Sequence, residues 1–117
     1  MRLAIIGSRD FTDYAVLHDT VIDLINEPIT AIISGGARGA DSLAKQFADE
    51  YSIPLFEHLP DYARYGRFRA PNLRNITIID NCDYVIAFWN GTSPGTRNAI
   101  NYAYKAKGKE KVKIIPV

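Results

Sequence analysis

Short runs rich in β-branched and aliphatic residues alternate throughout the chain with longer segments of helical period, and that alternation restricts the fold more than any other feature. The runs are RLAII (2–6), TAIIS (30–34), IPLFEH (53–58), DYVIAFW (83–89) and KVKIIPV (111–117). Their hydrophobicity is mostly continuous, as in strands covered on both faces. After the first run, Leu17, Val21, Leu24 and Ile25 form an i, i+4, i+7, i+8 stripe, with Thr12 or Asp13 as its cap and Asn26-Glu27-Pro28 as its stop. A second helix is expected over 40–51 with Leu43, Ala44, Phe47 and Ala48 inward, a third over 71–81 opening at Pro71, and a fourth over 94–107. Strands and helices in strict alternation over short connections predict an α/β fold: a single-domain Rossmann-like, doubly wound parallel sheet of about five strands with helices on both faces. A chain of 117 residues holds one core of this kind, so residues 1–117 are expected to form one domain. The strand order stays open at this level.

Ligands of such sheets bind beyond the carboxyl ends of the strands, near the switch in strand order. Three turns fall there: GSRDF (7–11), GGARGAD (35–41) and NGTSPGT (90–96). Bare glycines at Gly35, Gly36 and Gly39 let backbone approach a ligand, and the helix starting near Ala40 adds its positive end. In the last turn Ser93 is an N-cap and Pro94 a first helical residue, which leaves the N–H groups of Gly95 and Thr96 open to an anion. Gly7, Ser8, Arg9, Ser34, Arg38 and Gly91 complete the candidate phosphate site, because a planar guanidinium matches phosphate oxygens. Each feature has a plainer reading: glycine for turn sterics, Ser93 as a cap alone, Asp41 as a partner of the helix dipole. A functional Asp41 would hold ribose hydroxyls or a base amine, since a carboxylate repels phosphate.

The segment DYARYGRFRAPNLRN (61–75) is too polar for a core and too aromatic for a plain linker. Read functionally it is a lid, with Tyr65 or Tyr62 stacking on a base, and Arg67 or Arg74, beside Asn75, clamping phosphate. Read structurally it is a loop with snorkelling arginines or a surface for a second subunit. Trp89, at the exit of the fourth strand, is divided between stacking and packing. No residue is assigned a catalytic role; Asp41 and Asp10 are the weak candidates. Cys82 belongs at the opposite edge of the sheet, where it packs. His18 lies within the first helix, and of Glu57 and His58 at most one can face the crevice. No spacing of His and Cys suggests a metal site.

A formal charge of +1 argues against a broad nucleic-acid footprint. The lysines Lys105, Lys107, Lys109, Lys111 and Lys113 crowd the C-terminal end as a solvated face, while most arginines sit beside glycine or turn residues. The lone Cys82, the short apolar run in MRLAIIGSRDF and the lack of any apolar run approaching about 20 residues lead to an expectation of a cytoplasmic protein without a membrane segment.

With GSRDF, ISGGARGADSLA, YGRFRAPNLRN and VIAFWNGTSPGT in that order, nearly the whole chain resembles the YspA-like, cpYpsA-related branch of the SLOG superfamily. The resemblance implies a Rossmann-like sheet, a nucleotide-derived ligand of the NAD or ADP-ribose type, and frequent self-association into homo-oligomers; no cofactor beyond that ligand is expected. It also touches the LONELY GUY phosphoribohydrolases, whose active pattern looks like PGGxGTxxE. This chain keeps Gly95-Thr96 but carries Ala99 where that Glu would fall, which departs from the pattern of the hydrolases. DNA-processing relatives bind single strands, a carry-over that the near-neutral charge weakens. The expected function is therefore a stand-alone sensor or sequestering protein for a signalling nucleotide, with a small nucleotide hydrolase using Asp41 or Asp10, and a single-strand binder, as the alternatives.

Overall fold

The computed structural model describes residues 1–117, and its elements follow the sequence pattern closely. The strands are β1 (Arg2–Gly7), β2 (Ala31–Ser34), β3 (Leu55–Glu57), β4 (Tyr84–Trp89) and β5 (Val112–Pro116), and the helices are α1 (Tyr14–Leu24), α2 (Ala40–Glu50), α3 (Tyr62–Asp80) and α4 (Pro94–Lys107). All neighbouring strands are parallel, in the order β3-β2-β1-β4-β5. The chain thus works outward from β1 to one edge, returns through α3, and works outward again from β4. The switch lies between β1 and β4, which pair from Leu3 with Tyr84 to Gly7 with Phe88. No helix is long and apolar enough to cross a membrane.

Alternate residues of the central strands feed two separate cores. Leu3, Ile5, Ile32, Ile86 and Phe88 face α1 and α2, where Leu17, Val21, Leu43 and Phe47 cover them. Ala4, Ile6, Ile33, Val85 and Ala87 face α3 and α4, where Ile78, Ile79, Ala99, Ile100 and Ala103 cover them. The second face is built from smaller side chains, and helix backbones can approach it closely. Phe47 and Phe88 are among the largest fully buried side chains, and truncating either to Ala would cost about 3–5 kcal/mol.

Asp13 caps α1 by accepting from the Val16 N–H at 3.2 Å, so of the two expected caps it is Asp13 rather than Thr12. The largest departure is α3. It begins at Tyr62, nine residues before the expected start at Pro71, so the segment read as a lid or loop is helical over most of its length. The helix is broken at Gly66, whose φ of 78° only glycine adopts at no cost, and Pro71 lies inside it. A polar stretch containing Gly and Pro has low helix propensity, and the packing of Ala70, Ile78 and Ile79 overrides it.

Candidate functional site

The carboxyl ends of β1, β2 and β4 open into one cavity of about 670 Å³, the size of a small-molecule site. Its cationic lining comes from Arg9, Arg38 and Arg74, and its acidic lining from Asp10 and Asp41. Gly7, Asn75, Ser93, Gly95 and Thr96 also line it, so each of the three turns and the body of α3 contribute.

Ser8 joins the turns. Its N–H donates to Phe88 O at 2.9 Å, its carbonyl accepts from Phe11 N and Ala40 N at 3.3 and 3.2 Å, and its hydroxyl accepts from Asn90 N at 3.0 Å. Ser8 is buried and supports the rim from beneath, outside the lining. Close approach by glycine completes the junction. A Cβ on Gly39, at φ 74°, would overlap the Ser8 and Arg9 backbone, and one on Gly7 would collide with Phe88 O and lie 2.8 Å from the Ala40 methyl. These glycines bring turns against one another, whereas the sequence reading assigned the bare backbone of Gly39 to a ligand.

Gly35 is bare for a side chain of the protein itself. A Cβ there would lie 2.8 Å from Arg74 Cζ and 2.9 Å from Asp41 Oδ2. Arg74 occupies that space, donating from Nη1 to Gly35 O at 2.7 Å and to His58 O at 3.4 Å, and from Nε to Asn75 Oδ1 at 2.8 Å. Arg74 therefore ties α3 to the β2 end while facing the cavity. Burial lowers its pKa, Asp41 opposes that fall, and the like charge of Arg9 adds to it. Asp41 is 8% exposed and accepts the Ala37 N–H at 3.1 Å, which folds the turn over the helix start. Burial pushes its carboxyl above the ordinary 3.8, against the pull of the Ala37 amide and of the Arg74 charge. Ser34 is wholly buried; its hydroxyl is near enough to favour the Asp41 carboxylate, but makes no well-formed hydrogen bond.

The start of α4 is open. Ser93 occupies the N-cap position without a side-chain cap bond, its Oγ facing Thr96 Oγ1 at 3.3 Å, and Pro94 follows it. The N–H groups of Gly95 and Thr96 have no acceptor within the chain, as the sequence led us to expect. What shapes this turn is Asn90, absent from the sequence-based site. Its Oδ1 accepts from Thr92 N and Ser93 N, both at 2.9 Å, and its Nδ2 donates to the Asp10 carboxylate at 3.3 and 3.4 Å. An Asn at a strand exit followed by Gly-Thr-Ser is the available signal, because Asx side chains bond the backbone two residues on.

Several expected contacts lie elsewhere. Tyr65 is partly exposed under the Arg64 guanidinium, Arg67 stacks on the exposed Phe68 at 4.9 Å, and neither lines the cavity. Trp89 packs beside the second core, donating from Nε1 to Ser93 O at 3.0 Å with Arg97 above its ring at 5.4 Å, and is not among the lining residues. Gly36 faces Leu59 and Glu57, and Gly91 faces open space. Cys82 is buried at the far end of β4, where burial pushes its thiol up to about 11.

The fold and the converging turns coincide with a family assignment. The family model described as YspA, cpYpsA-related SLOG family matches residues 1–65, which span the turns after β1 and β2, and the chain belongs to that family. Membership places it among proteins that bind or process nucleotide-related ligands. It is also similar to the Gene 61 protein of Mycobacterium phage D29, with 34% identity over 113 residues and 90% of each chain covered. No solved structure matches the chain.

Proposed function

We propose that the protein binds a phosphorylated nucleotide derivative of the ADP-ribose or NAD type in the cavity at the β1–β4 switch, and acts by holding it, as a sensor or a sequestering protein. The observation that carries this reading is the pairing of three arginines with the acceptor-free amides of Gly95 and Thr96 around one cavity. Arg9 and Arg38 make no hydrogen bond or ion pair within the chain, so their forks are free for phosphate oxygens. Helix starts at α2 and α4 add favourable dipoles to the same side.

Incubation with ADP-ribose followed by native mass spectrometry tests the proposal: unchanged ligand at one equivalent per chain is the expected result. Arg38→Ala, at an exposed position, should weaken binding by about 1.5–3 kcal/mol, the range for a charged hydrogen-bond partner, and leave Tm in place. Unaltered affinity would remove Arg38 from the site.

The buried carboxyl of Asp41 favours one further reading. Burial raises its pKa and it faces the cavity, a placement that suits a carboxyl exchanging a proton with a bound substrate. Ala99 lines the same cavity, so a hydrolase here would rely on Asp41 in place of the Glu of the LONELY GUY pattern. Repeated turnover abolished by Asp41→Ala would establish the enzyme over the binder.

A further inference from the structure

The large cavity has no aromatic side chain in its lining, now that Tyr65 and Trp89 lie outside it. It is suited to phosphate and ribose and offers little to the flat face of a base. A second cavity of about 400 Å³ adjoins it and shares Asp10 and Asn90 with it. The two shared residues are bonded to each other, Asn90 Nδ2 donating to the Asp10 carboxylate at 3.3 and 3.4 Å. Phe11, Val16, Pro116 and Val117 give the smaller cavity apolar walls.

Charge is partitioned between them. All three lining arginines are in the larger cavity; the smaller has no cation, and its charged side chains are Asp10 and Asp13. Phosphate is thus drawn to one side and repelled from the other. A ring with N–H donors finds the reverse. Asp13 is the better acceptor for such a donor. One of its oxygens caps α1 at Val16 N, while both oxygens of Asp10 face Asn90 Nδ2.

We propose that the smaller cavity is a subsite for a nitrogen heterocycle bearing an exocyclic amine, covalently joined to the anionic group held among the three arginines. The ring lies against Val16 and Pro116, its amine donates to Asp13, and the linker passes over the Asp10–Asn90 pair. This assignment rests on the nucleotide reading of the larger cavity, and it adds the position and chemistry of the base.

Titration calorimetry with inorganic pyrophosphate, ADP and IDP separates the two. IDP carries a carbonyl where ADP carries the amine. The expected order of affinity is ADP, then IDP, then pyrophosphate. Val16→Gln, at an exposed position on a helix that tolerates Gln, should weaken ADP about ten-fold by placing an amide against the ring, with pyrophosphate unchanged. Asp13→Asn keeps the cap through its amide oxygen and turns an NH₂ donor toward the ring, so the preference for ADP over IDP should vanish or invert. The subsite is refuted if pyrophosphate binds while Val16→Gln leaves ADP untouched or weakens both probes equally, and the amine contact is refuted if Asp13→Asn keeps the ADP preference. Failure of pyrophosphate and ADP alike to bind refutes the nucleotide reading and the subsite with it.

Discussion

The turn after β2 carries Gly35, Gly36 and Gly39, and the turn after β4 carries Gly91 and Gly95; an added Cβ would collide at each of the first three and meet nothing within 4 Å at either of the last two. The first turn uses bare backbone to fit protein against protein: Arg74 at Gly35, Leu59 and Glu57 at Gly36, and the Ser8–Arg9 backbone at Gly39. Its Ala37 amide is taken by Asp41. The second turn is held by side chains, Asn90 at Thr92 N and Ser93 N, Trp89 at Ser93 O and Arg97 at Gly91 O, and keeps the Gly95 and Thr96 amides free. Similar composition therefore serves a brace in one place and a helix end with unpaired amides in the other. Glycine enrichment at a strand exit signals close approach, and the approaching atom can belong to the protein itself.

The contrast is open to attack at its strongest point first. Gly39→Val should destabilise the fold by about 3 kcal/mol or more, because it combines a positive φ with overlap against fixed backbone. Urea denaturation gives the value, and a change below about 1 kcal/mol would mean that the two turns are not braced together as described.

Asp41→Asn probes the same brace electrostatically. Burial raises the Asp41 carboxyl above 3.8, so the folded chain holds that proton more tightly than the unfolded chain. Stability then falls as pH rises from the unfolded value through the folded one, and the loss is complete above both. Asn carries no such loss and can still accept the Ala37 N–H, so Tm should rise at pH 7 and converge with that of the parent below the ordinary value of 3.8. A gain that persists unchanged in acid would rule out ionisation as its cause.

Gly95→Ala is expected to have the smallest effect on stability. In open space within the first turn of α4 it should be neutral or stabilising by about 0.5 kcal/mol, while its methyl group stands in the cavity and lowers ligand affinity. Thermal melts with and without ADP-ribose read both halves, and marked destabilisation of the free protein would overturn the description of this turn as unencumbered.

The alternation of strands and helices was legible because continuous apolar runs and 3.6-residue stripes arise from burial itself; Leu17 and Val21 are fully buried and α4 spans the expected residues. The parallel sheet and the convergence of three turns follow from that alternation. Residue chemistry announced the arginines, and Arg9, Arg38 and Arg74 do share one cavity. Direction was not legible. Tyr65, Arg67 and Trp89 have suitable chemistry for a nucleotide, but the break at Gly66 and the hydrogen bond from Trp89 to Ser93 O aim them elsewhere. Asn90 escaped notice because its effect comes from bonds made at once with Ser8 and Asp10, far in sequence, and with Thr92 and Ser93, close by.

Ser8 fastens all three strand exits to one another. Thermal fraying of any one exit must break bonds on which the others depend, so the mouth of the cavity loosens collectively. A guest bridging Arg9 and the α4 amides would for that reason slow deuterium uptake at Ala40 as well, at an amide it never touches.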